Sequence, residues 1–137
     1  MKIDGKPYRT IWLGDDGTTV QAIDQTLLPH KFVVRDFCTM EDAEKAIRTM
    51  IVRGAPLIGA AAAYGMALAM AADPSDAGLA RAYEVLLASR PTAVNLRWAL
   101  DDVRSLLFPL APKARREAAY KRAAEICDED VEICRRI

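Results

Sequence analysis

Apolar and polar residues alternate at the start of the chain, then give way to an apolar spacing of three and four that persists to the last residue. Tyr8 to Leu13 and Thr18 to Asp24 read as strands, with Ile11, Trp12, Val20 and Ile23 among their apolar positions. Gly14-Asp15-Asp16-Gly17 lies between them, which predicts a hairpin with a four-residue loop whose glycines supply positive φ. Leu28-Pro29-His30 turns the chain toward a third strand, Phe32 to Cys38. Residues 1–38 are therefore expected to form a small three-stranded antiparallel sheet.

From Thr39 the period is helical. Thr39 with Asp42 has the spacing of a capping box, and Met40, Ala43, Ala46, Ile47, Met50 and Ile51 form one stripe, predicting a helix to about Val52. Pro56 suits the first position of a second helix, Pro56 to Ala72, whose Gly59, Ala61, Ala62 and Gly65 let neighbours approach closely. Asp73-Pro74-Ser75-Asp76 ends it, and a third helix covers Gly78 to Ala88. Thr92 is expected to cap a fourth, with Leu96, Ala99, Leu100, Val103, Leu106 and Leu107 on its apolar face. Pro109 and Pro112 interrupt before a final helix from about Pro112, with Ala119, Ala123, Ile126, Cys127, Cys134 and Ile137 on one face. The expected class is α+β: the sheet of residues 1–38 followed by a bundle of about five helices in 39–137, together one domain.

Composition narrows the function classes. Nineteen basic residues balance nineteen acidic ones in a chain of 137, so no broad field for nucleic acid is expected. No charge occurs from Gly54 to Ala72, but the stretch is mostly alanine and glycine and lacks aromatic anchors at both ends, so a buried central helix is expected rather than a membrane span. The opening residues lack the apolar core of a secretory signal, and three cysteines without a metal or disulfide pattern fit a reducing, cytoplasmic setting. Cys127 and Cys134, seven residues apart, stand ~10.5 Å apart along a helix and cannot bridge.

Two helix junctions could hold an anion. Met50-Ile51-Val52-Arg53-Gly54-Ala55-Pro56 offers the Arg53 guanidinium, close backbone approach at Gly54 and the free N–H groups of a helix start. The same residues also suit a plain connection, with Gly54 as the helix C′ cap and Arg53 paired elsewhere. Ser89-Arg90-Pro91-Thr92-Ala93 repeats the arrangement with Arg90, which is either a second anion contact or a solvated arginine. Spacing alone does not bring the two together. His30 has no partner pattern, Ser75 and Ser89 lack a nucleophile elbow, Cys38 reads as a small buried residue, and Asp128-Glu129-Asp130 reads as a solvated face without metal spacing. No complete set of acid, base and nucleophile is visible.

Four blocks then carry a resemblance. Asp4-Gly5-Lys6-Pro7-Tyr8-Arg9-Thr10-Ile11-Trp12, Ile23-Asp24-Gln25-Thr26-Leu27-Leu28-Pro29, Val52-Arg53-Gly54-Ala55-Pro56-Leu57-Ile58-Gly59 with Ala62-Ala63-Tyr64-Gly65, and Arg90-Pro91-Thr92-Ala93-Val94-Asn95-Leu96 occur in order and nearly end to end. Together they resemble the 5-methylthioribose-1-phosphate isomerase family. The resemblance implies an aldose–ketose isomerase of methionine salvage, an intramolecular oxidoreductase without a redox cofactor or obligatory metal. It implies a small sugar-phosphate substrate, no nucleic-acid or membrane partner, and a cytoplasmic homodimer when full length. Arg53, Gly54 and Ala55 match the family's substrate-binding corner and Arg90 a further substrate-contacting arginine. The family's catalytic cysteine and aspartate belong to a second, Rossmann-like domain that nothing here matches; Cys127 and Cys134 do not inherit the role. The chain is accordingly expected to be an N-terminal domain, inactive alone. Ribose-1,5-bisphosphate isomerase and the regulatory subunits of the initiation-factor exchange complex share the superfamily and stand as alternatives. A third is a pure interaction or dimerisation domain using the apolar stripe of the last helix.

Overall fold

The structure, a computed structural model, describes residues 2–3, 6–7, 11–14, 16–23, 33–49, 55–90 and 93–136. Strands β3 (Ile11–Leu13), β4 (Val20–Ile23) and β5 (Val34–Phe37) form the expected antiparallel sheet in the order β3-β4-β5. A further ladder pairs β1 (Lys2–Ile3) with β2 (Lys6–Pro7), where the alternation pattern had marked no strand. Register aligns Trp12 with Gln21 and Gln21 with Asp36. Trp12 Nε1 donates to Gln21 Oε1 and Gln21 Nε2 donates to Asp36 Oδ1, both at 2.9 Å, so a polar ladder crosses all three strands. The other face presents Ile11, Val20, Ala22 and Phe37, which lie in the core.

At their described ends β4 and β5 are shorter than the apolar pattern suggests. Tyr8 to Thr10, Asp24 to Phe32 and the turn at Leu28-Pro29-His30 lie outside the described residues. Thr18 and Thr19 belong to the hairpin loop, which runs from Gly14 to Thr19 because Leu13 pairs with Val20. The Asp16 carboxylate takes their amides from the ladder, accepting from the Thr18 amide at 2.9 Å, the Thr19 amide at 2.8 Å and the Thr19 hydroxyl at 2.6 Å, while the Thr19 carbonyl still accepts the Gly14 amide at 2.7 Å. Gly17, at φ 74°, makes the reversal possible.

Five helices follow: α1 (Met40–Arg48), α2 (Ala55–Ala72), α3 (Asp76–Ser89), α4 (Val94–Leu107) and α5 (Pro112–Arg136). The Thr39–Asp42 capping box forms in both directions, and α1 ends at Arg48 with Thr49 as its C-cap, short of Val52; Met50 and Ile51 lie outside the described residues. Pro56 is the second residue of α2 rather than the first. Helix α3 begins at Asp76, ahead of Gly78, because Ser75 caps it by accepting the Gly78 amide at 3.1 Å. Ala93, not Thr92, is the N-cap of α4, and Thr92 lies outside the described residues.

Helix α2 is the centre of the molecule. Every residue from Ile58 to Met70 is buried, and α1, α3, α4 and α5 all pack on it. At Gly65 a Cβ would come within 3.0 Å of the Leu86 side chain and 3.2 Å of Ala43, so only a glycine lets α1, α2 and α3 meet there without displacement. Among the described residues no helix is long and apolar enough to cross a membrane. Helix α5 fastens the sheet to this core: Tyr120 donates to the Thr18 carbonyl at 2.8 Å, Arg116 to the Thr18 hydroxyl at 2.9 Å, and the Cys127 thiol lies 3.6 Å from the Ile11 carbonyl.

Two side chains depart from the pattern. Leu106 was expected on the α4 core stripe, yet it is 41% exposed, because Leu96, Ala99, Leu100, Val103 and Leu107 already fill the contact and Leu106 falls at its margin. Cys38 is exposed rather than buried, since it sits in the junction after β5 where its amide donates to Asp42 Oδ2 at 2.9 Å.

Candidate functional site

Short connections arrange the helix starts. Residues 73–75 join α2 to α3 and residues 90–93 join α3 to α4, lengths that make successive helices antiparallel. Two reversals leave α2 and α4 parallel, with their N-termini at the same end. Their first turns also touch: a Cβ on Gly59 would lie 3.4 Å from the Asn95 carbonyl oxygen and 3.7 Å from the Ala99 Cβ. Gly59 is four residues into α2, so Ala55 lies about 6 Å further toward that end.

Of the residues singled out for anion binding, Ala55 opens α2 and half-buried Arg90 closes α3 as its C-cap. Arg53 and Gly54 lie outside the described residues. The Arg90 carbonyl accepts the Ala93 amide at 3.0 Å, tightening the chain into the α4 start. Ala93 carries no side-chain acceptor, so the first N–H groups of α4 receive no cap from it. Two parallel helix starts each aim about half a positive charge at the same end of the molecule, which suits an anion.

A separate open cleft of about 610 Å³ lies between α3 and α4, lined by residues that include Leu79, Tyr83, Glu84, Arg104 and Phe108. Arg104 is ten residues beyond Val94, about 15 Å along α4, so the cleft is remote from the helix starts. Its polar groups engage one another: the Tyr83 hydroxyl donates to Asp101 at 2.5 Å, and the Arg104 guanidinium lies 4.0 Å from the centre of the Tyr83 ring. The Asp101 hydrogen bond, with burial second, raises the Tyr83 pKa above the ordinary phenol value. Among the described residues no group of three or more His, Cys, Asp and Glu could hold a metal. His30 lies outside the described residues, as do the side chains of Asp128, Glu129, Asp130 and Cys134.

Two features of the helix-start region lacked a local signal. The packing of Gly59 on Asn95 joins positions 36 residues apart, and no spacing rule reports it. Trp98 stands on the outer side of α4 at 50% exposure, a position amphipathic periodicity reserves for polar residues.

The model of the Initiation factor 2 subunit family matches residues 51–137, more than half of the chain and all of α2 to α5. The chain belongs to this family. It is 67% identical over 130 residues, 95% of its own length, to the methylthioribose-1-phosphate isomerase of Paramagnetospirillum magneticum. The crystal structure of 5-methylthioribose 1-phosphate isomerase from Pyrococcus horikoshii OT3 superposes with a TM-score of 0.84 at 38% identity, covering 93% of this chain and 38% of that one. Translation initiation factor eIF-2B, subunit delta, from A. fulgidus gives a TM-score of 0.83 at 34% identity, covering 92% of this chain and 38% of that one. The chain spans 36% of the Paramagnetospirillum isomerase and 38% of a second curated isomerase.

Proposed function

We propose that the chain is the phosphate-holding N-terminal domain of a methylthioribose-1-phosphate isomerase, with Arg53, Gly54, Ala55 and Arg90 as its share of the substrate site. The geometric observation that carries this reading is the contact of α2 with α4 at Gly59 and Asn95, which supports one corner fed by both helix starts. The solved structures differ little, 38% identity to the isomerase against 34% to the eIF-2B subunit, and it is the 67% identity to a curated isomerase that favours the sugar-phosphate reading over the regulatory one.

The chemistry explains why such a corner is needed. A cyclic aldose with phosphate on its anomeric carbon cannot open by ordinary mutarotation. Ring opening breaks the bond from C1 to the ring oxygen and delivers a proton to that oxygen; one hydrogen then moves from C2 to C1 while the C2 hydroxyl gives up its proton, giving the ketose with no net oxidation and no net change in protons. Throughout, the phosphate keeps its charge, and guanidinium and helix-start N–H donors hold it while electron density shifts next to it. The proton-moving cysteine and aspartate are assigned to the second domain. On this reading the whole protein works as a cytoplasmic homodimer in methionine salvage.

The test is a fusion in which this chain replaces the matched stretch of the Paramagnetospirillum isomerase. The fusion should convert 5-methylthioribose 1-phosphate to the ketose at a rate comparable with its parent, and the 137-residue chain alone should not. A folded fusion without turnover, or turnover by the chain alone, overturns the assignment.

A further inference from the structure

Three sides of α4 are occupied. Asn95 and Ala99 face α2 at Gly59, Asp101 receives Tyr83 of α3, and Asp102 accepts two hydrogen bonds from Arg122 of α5 at 2.7 and 3.0 Å. The remaining side carries Val94 at 79% exposure and Trp98 at 50%, one turn apart and beginning at the end of α4 where Arg90 lies. A single exposed aliphatic residue is ordinary, but a tryptophan half in solvent beside an uncovered valine at a helix start marks a contact surface.

We propose that the Val94–Trp98 ridge is the seat for the rest of the isomerase polypeptide, so that the second domain closes over the helix-start corner by covering Trp98. This rests on the isomerase reading above. The occupant follows from length and area. The chain accounts for only 36% of the Paramagnetospirillum isomerase, so the larger part of that relative must meet this domain somewhere. The ridge offers on the order of 250 Å² of apolar surface, well short of the roughly 800 Å² per partner of a stable association between separate molecules. A covalently linked domain needs far less, because the tether supplies a millimolar effective concentration.

Hydroxyl-radical footprinting read by mass spectrometry on the 137-residue chain and on the fusion tests this. Trp98 oxidation should fall about fourfold in the fusion, as expected for a side chain from which water is excluded. Phe108, 69% exposed and about 15 Å beyond Trp98 at the C-cap of α4, serves as the internal control and should not change. Trp98→Ser should leave the melting of the isolated chain in place and lower that of the fusion. Equal Trp98 oxidation in both proteins overturns the proposal. So does Trp98 protection that grows with the concentration of the isolated chain, which assigns the ridge to a second copy. A fusion that turns over with Trp98 unprotected refutes the docking alone; one with Trp98 protected but no turnover refutes the isomerase reading alone.

Discussion

Replacing Arg115 by alanine removes the centre of a buried junction between three helices. The Arg115 side chain is 3% exposed; Nε donates to the Leu107 carbonyl at 3.0 Å, Nη2 to Phe108 at 3.1 Å and Nη1 to Pro74 at 2.9 Å, while Asp76 Oδ1 lies 2.6 Å from Nη2. Leu107 and Phe108 end α4, where the helix has few amides left for its carbonyls, although the Leu110 amide also donates to the Leu107 carbonyl at 3.0 Å. A carbonyl left bare in the interior costs about 1–3 kcal/mol. The Leu107 carbonyl keeps its Leu110 donor, and Phe108 and Pro74 border solvent, so all three take the lower part of that range. With the lost packing of the aliphatic stem the total is about 2–3 kcal/mol. The Asp76 carboxylate is 79% exposed, so the ion pair itself contributes under about 1 kcal/mol. At this chain length the alanine variant should melt on the order of 10 °C lower, and urea unfolding should show a reduced midpoint with unchanged slope. Arg115→Lys should fall between, since one ammonium cannot reach three carbonyls. An Arg115→Ala loss below about 1 kcal/mol, or an Asp76→Asn loss equal to it, would refute the capping account.

Other perturbations read other parts of the molecule. Gly59→Val should destabilise by about 1–3 kcal/mol through pressure on the Asn95 carbonyl, whereas Gly59→Ala should be near neutral because helix propensity offsets the crowding; denaturant midpoints decide. The Tyr83 pKa is raised first by its bond to Asp101, so its contribution to stability is complete below the unfolded phenol value near 10 and fades as pH rises through the folded value. Asp101→Asn should therefore bring Tyr83 ionisation down in an ultraviolet titration referenced to Tyr83→Phe. Asp16 is the opposite case: the Thr19 hydroxyl, then the Thr18 and Thr19 amides, hold its carboxyl below the usual range. Its contribution is present above about pH 4 and is lost as pH falls through the folded value, so Asp16→Asn should flatten the acid limb of the stability curve. A thiol reagent should modify exposed Cys38 in the native protein and buried Cys127 only on unfolding.

What the sequence revealed followed the range of each interaction. The helix stripes were legible because core contact repeats every three to four residues, and the uncharged run of α2 marked it as the central helix. Strand ends were not: Thr18 and Thr19 have strand propensity, but Asp16 binds them into the loop. Ser75 was visible as a hydroxyl and became a helix cap only once Gly78 was known to follow in helical geometry. Arg115 had no local signature in Lys113-Ala114-Arg115-Arg116, since its Pro74 partner lies 41 residues away. The two arginine junctions were readable as motifs, but the common end at which α2 and α4 start depends on two chain reversals and on one glycine contact between helices.

The central claim is that the starts of α2 and α4 grip one phosphate, and kinetics of the fusion with Arg53→Ala and Arg90→Ala test it most directly. Each variant should lower kcat/KM for 5-methylthioribose 1-phosphate by about 10–100-fold, the size of a charge-assisted hydrogen bond, and should weaken competition by inorganic phosphate in parallel. Either variant retaining parental kcat/KM and parental phosphate inhibition would contradict the account.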